Sequence, residues 1–165
     1  MFVERMGRDD RVNVVRFNRR SDEAAGDRSA ALSRISSYGA GMVPHFGRET
    51  YENALTRVTQ LSRQLEADEH RRKAIVCIGA PEIFNIGEPA RGSAGLIWPY
   101  WTDALRAASR TNAAVYLIDP AGATGDVKIC GSASLTAQTG GEAFVNSNDF
   151  EGAVSRYGTR RATTT

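Results

Sequence analysis

The sequence predicts an α/β fold: a mostly parallel, doubly wound, Rossmann-like sheet with helices on both faces. Three observations carry this. KAIVCI (73–78) and AAVYLI (113–118) are apolar runs of strand length. A helical repeat precedes each of them, ETYENALTRVTQLSRQLEA at 49–67 and WPYWTDALRAASRT at 98–111. Strands that alternate with helices call for crossover connections, and crossovers make a sheet parallel and cover its faces.

The elements follow in order. MFVERM (1–6) reads as the end of a helix, with Phe2, Val3 and Met6 on one side and no start signal before it. RVNVVRF (11–17) is strand-like, residues 18–28 form a polar loop, and residues 29–37 a short helix. SYGAGMVPHFG (37–47) is a Gly-rich connection. In the helix 49–67, Ala54, Leu55, Val58, Leu61 and Leu65 recur at three- and four-residue spacing. A Gly/Pro loop over 81–95 separates the first strong strand from the second helix, where Pro99 suits the first turn. Trp98, Tyr100 and Trp101 open that helix, either as core under the loop or as a recognition patch. The strand 113–118 ends at Asp119-Pro120. Residues 132–139 are helical and stop at Gly140-Gly141. A short strand follows at 142–145, then a helix at 149–156 capped by Ser147 or Asn148.

Composition narrows the function. A chain of 165 residues suffices for one domain with its own core, and 41% hydrophobic with 24% charged residues is ordinary for a soluble globular protein. A net charge of +2, with scattered basic residues, gives no concentrated patch for nucleic acid. No apolar run is long enough to span a bilayer, and MFVERMGRDD is too polar for a signal peptide. Two cysteines, Cys77 and Cys130, have neither zinc nor disulfide-framework spacing, and Cys77 reads as a small buried hydrophobe.

Catalytic motifs are weak. Gly79-Ala80-Pro81 is neither G-x-G-x-x-G nor a P-loop, and AGATG (121–125) lacks the third glycine. His45 and His70 have no Cys or Asp at metal spacing. Ser132 and Ser134 have no assignable base. Asp119, at a strand end, is the best lone acid. It either turns the chain with Pro120 or binds a ligand at the carboxyl edge of the sheet.

Four stretches together resemble one family: RDDRVNVVRFN (8–18), RKAIVCIG (72–79), WTDALRAASRTNAAVYLIDPAG (101–122) and LTAQTGGEAFVNSNDFEGAVSR (135–156). They are similar to von Willebrand factor type A (vWA) domains of the bacterial "VWFA-related" group, most specifically in Y-x-I-D-P followed by T-G-G-x-A-F-x-x-x-N-D-F. The resemblance implies a Rossmann-like sandwich that binds protein partners. Many such domains do so through a metal-ion-dependent adhesion site, with Mg²⁺ held by a D-x-S-x-S loop, a Thr and a later Asp.

The chain departs from that pattern. The first strand with D-x-S-x-S is absent. The Thr loop resembles GRETYENAL (47–55), with Glu49 at the Thr position and Thr50 one residue away. The later Asp is replaced at Gly79-Ala80-Pro81. The resemblance therefore implies a vWA-like domain over 1–156, lacking its first strand, with a degenerate adhesion site, no metal and no cofactor; Mg²⁺ is expected only in a full-length parent. The tail 157–165 is irregular. Suitable codons for RYGTRRATTT, read in a shifted frame, spell LWDEAGHHY, so the tail is compatible with a frameshift. Codons that cannot give that frame would end the idea.

The expected function is a non-catalytic protein-interaction module with no membrane span. Its partner-binding edge is expected at Arg48, Glu49, Thr50, Gly79, Glu82 and Asp119. The alternatives are a Rossmann-like enzyme taking a nucleotide or small acid at Asp119 and the 122–125 loop, or a gene fragment with no function of its own. The resemblance points to an exported full-length parent; the chain itself specifies neither compartment nor partner identity.

Overall fold

A computed structural model describes residues 48–67, 73–79, 94–119 and 134–145, with Ser29, Ala30, Leu32, Ser33, Asp149 and Gly152. The strand expected at 11–17, the start of the chain and the tail lie outside these residues, as does nearly all of the helix expected at 149–156. Ser29, Ala30, Leu32, Ser33 and Gly152 are helical and belong to a unit formed by Met1–Pro44 with Glu151–Thr165. Every element below belongs to a second compact unit, His45–Phe150.

Helix α1 spans Arg48–Gln64 and tightens into a 3₁₀ turn at Leu65–Ala67. Glu49 in its first turn and Arg63 in its last complement the helix dipole. Its buried face is Ala54, Leu55, Val58, Thr59 and Ser62, and it packs chiefly on the second helix. The leucine repeat alone does not define this face: Leu61 and Leu65 are only half-buried, while Ser62 is fully enclosed. Thr59 satisfies its buried hydroxyl by donating to the Leu55 carbonyl at 3.0 Å. Ser62 Oγ is buried with no hydrogen-bond partner among the described residues. A buried hydroxyl without a partner costs roughly 1–3 kcal/mol. Ser62→Ala is therefore expected to raise stability by about 1 kcal/mol in a denaturant titration; a loss of similar size would show that the hydroxyl has a partner.

Strand β1 (Lys73–Ile78) pairs in parallel with β2 (Ala113–Ile118), from Lys73 against Ala113 to Ile78 against Ile118. Strand β3 (Ala143–Phe144) adds in parallel on the other side of β2, Leu117 against Ala143 and Ile118 against Phe144. The described sheet is thus open, three-stranded and parallel, in the order β1-β2-β3. β2 is its centre, and Ala113 to Leu117 are all buried, as a parallel strand covered on both faces requires.

Helix α2 spans Ala94–Arg110 between β1 and β2. It begins at Ala94 rather than at Trp98, so Pro99 sits inside the helix instead of in its first turn. The missing N–H deprives the Gly95 carbonyl of its usual donor. Pro99 is on the exposed face, where water can serve that carbonyl, so the helix continues. Ile97, Trp101, Ala104, Ala108 and the following Thr111 form the inward stripe, and alanine at 104 and 108 lets a neighbouring helix lie close.

The helix ends in a two-residue turn. Thr111 N–H donates to Ala107 O at 3.2 Å, and Asn112 N–H to Ser109 O at 3.2 Å. Asn112 takes φ 52°, a left-handed position that asparagine tolerates better than most residues. Its carbonyl then accepts the Lys73 N–H at 3.5 Å, tying the end of α2 to the start of β1. Because the chain reverses here, α2 runs back along the sheet. Its first turns therefore lie toward the carboxyl ends of the strands.

Candidate functional site: the carboxyl edge of the sheet

The three strands finish level. Gly79 N–H donates to Ile118 O at 3.1 Å, and Asp119 N–H to Phe144 O at 2.9 Å, so the ladder runs one residue past β1 and β2. Gly79 and Asp119 therefore stand side by side at the edge where open α/β sheets take ligands. Asp119 is only 3% exposed, so this acid is withdrawn from solvent. Gly79 leaves open space: a Cβ built there meets nothing within 4 Å. Immediately before it, Ile78 is 63% exposed.

Short helix α3 (Leu135–Gln138) leads into β3. Ser134 is its N-cap, with Oγ accepting the Ala137 N–H at 3.2 Å and lying 3.0 Å from Thr136 Oγ1. That hydroxyl is buried, so the role of Ser134 in the fold is that of a cap. At the other end Gly141 N–H donates to Thr136 O at 2.8 Å and Gly140 N–H to Ala137 O at 3.2 Å, with Gly140 at φ 75°. This is a Schellman closure, and the left-handed position is why glycine stops the helix there.

Thr139 and Gly141 then join α3 to β2. Leu117 N–H pairs with the Glu142 carbonyl at 3.0 Å, but Val115, two residues earlier, lies beyond the start of β3. Its N–H donates to Thr139 Oγ1 at 3.0 Å, while the same hydroxyl donates to Leu135 O at 2.9 Å. The threonine side chain thus substitutes for a strand partner. Thr139→Val keeps the shape and removes the acceptor. It should cost about 1–3 kcal/mol, the penalty of a buried N–H left unpaired, whereas Thr139→Ser should retain most of the stability. A loss confined to Thr139→Ser would mean that the methyl group, not the hydroxyl, matters.

The first turn of α1 carries Arg48, Glu49 and Thr50. Arg48 and Glu49 are exposed and Thr50 half-buried. Arg48 Nε donates to Glu52 Oε1 one turn on, an ion pair that occupies Glu52. Glu82, His45, His70, Cys130, Ser132 and the 122–125 loop lie outside the described residues. A hard cation such as Mg²⁺ needs several oxygen donors in near-octahedral array. Gly79 supplies no side-chain oxygen, and no group of three or more His, Cys, Asp or Glu stands together among the described residues.

Cys77 points into the core and is 1% exposed. Burial pushes its thiol up from the ordinary 9.0 to about 12, so it stays protonated at neutral pH and is not an activated nucleophile.

The aromatic cluster of α2 divides. Trp101 is buried at 2% exposed, whereas Trp98 and Leu96 are each 51% exposed. Which of these aromatic residues is enclosed was not legible, because it depends on what packs against the helix. Among the described residues no helix is long and apolar enough to cross a membrane.

The fold and edge thus define a parallel α/β protein whose described carboxyl edge offers backbone, apolar side chains and one buried acid. No protein-family model, curated protein or solved structure matches the chain.

Proposed function

We propose that the chain is a non-catalytic protein-interaction module, vWA-like and with a degenerate, metal-independent adhesion site. The partner is a protein, taken at the carboxyl edge through Gly79, Asp119, the loop bearing Glu82, and Arg48, Glu49 and Thr50. The observation that carries this reading is the exposure of Ile78, at 63%, where β1 ends, together with that of Leu96 and Trp98, each at 51%, in the first turns of the crossover helix. Large apolar side chains left in water at a ligand-binding edge suit a protein surface, whose contact core is rich in aromatic and aliphatic groups. Gly79 in place of an acid supports metal independence, since nothing there draws a cation.

The test is a photo-crosslinking residue placed at position 78 or 98 of the chain in its own host, with position 66 as control, because Glu66 is exposed at the far end of α1. Discrete protein adducts from 78 and 98 but not from 66 are expected, unchanged by EDTA. Adducts alike from all three positions, or none from 78 and 98, would overturn the edge as the binding surface. Reproducible thermal stabilisation of the purified chain by one nucleotide would replace this reading with that of a Rossmann-like enzyme.

A further inference from the structure

We draw no further inference here: the strongest candidate, the edge of β1 turned away from β2, which carries exposed Ile78 at its carboxyl end and is unpaired among the described residues, carries nothing because the structure does not show what covers it.

Discussion

Gly141→Ala should cost about 3 kcal/mol or more and lower the melting temperature by roughly 10 °C, since a chain of this size loses about 2–4 °C per kcal/mol. A Cβ at Gly141 would lie 1.8 Å from the Val115 carbonyl oxygen and 2.6 Å from its carbon. Both atoms are backbone of the central strand and cannot rotate away. The Thr139–Gly141 closure would have to withdraw from β2, taking with it the Val115 N–H···Thr139 bond and the start of β3. Two neighbouring glycines serve as controls. Gly140→Ala meets no atom within 4 Å, but φ 75° makes it strained, so a loss of about 1–2 kcal/mol is expected. Gly79→Ala has neither clash nor positive φ and should change stability by less than about 1 kcal/mol, through a less flexible unfolded chain. Denaturant unfolding of the three variants decides the matter. A Gly141→Ala chain as stable as Gly79→Ala would mean that α3 does not press on β2 as described.

Trp101→Ala should cost about 3–5 kcal/mol, the range for removing a large aromatic side chain from a packed core. Trp101 is the largest fully buried side chain among the described residues and lies on the inward stripe of α2 with Ile97 and Ala104. Trp98, three residues earlier, is 51% exposed, and Trp98→Ala should cost less than about 1 kcal/mol. The chain has two tryptophans, so emission separates them. Trp98→Ala should leave a blue-shifted spectrum from the buried ring, and Trp101→Ala a red-shifted one from the solvated ring. The reverse pattern of stability and emission would require α2 to be rotated about its axis from the arrangement described here.

Gly141 and Trp101 also show how much the sequence discloses. T-G-G was legible as a helix stop, and Gly140 fills that role. The need for glycine at 141 was not legible, because it arises from a carbonyl of Val115 twenty-six residues away in the chain. Trp98 and Trp101 are both aromatic residues at the start of one helical pattern. Only the direction from which α1 and the sheet approach α2 sends one inward and leaves the other in water. Pro99 misled the boundary of α2 for a related reason: proline favours a first turn, yet the helix begins earlier and carries it on an exposed face.

By itself the sequence determined the features that rest on local periodicity. Apolar runs of six residues became β1 and β2 with the boundaries expected, and the three- and four-residue repeat became α1. The alternation of the two dictated a parallel sheet, because a crossover helix leaves the next strand no other direction. Tertiary structure alone decided which residues meet: Thr139 standing in for a strand at Val115, Ser62 rather than Leu61 enclosed beneath α1, Asp119 buried beside an open Gly79, and Ile78 exposed at the edge. Periodicity fixes which way a side chain leaves its own element. What it meets there depends on the packing of elements distant in sequence, and the chemistry of the edge comes from that packing.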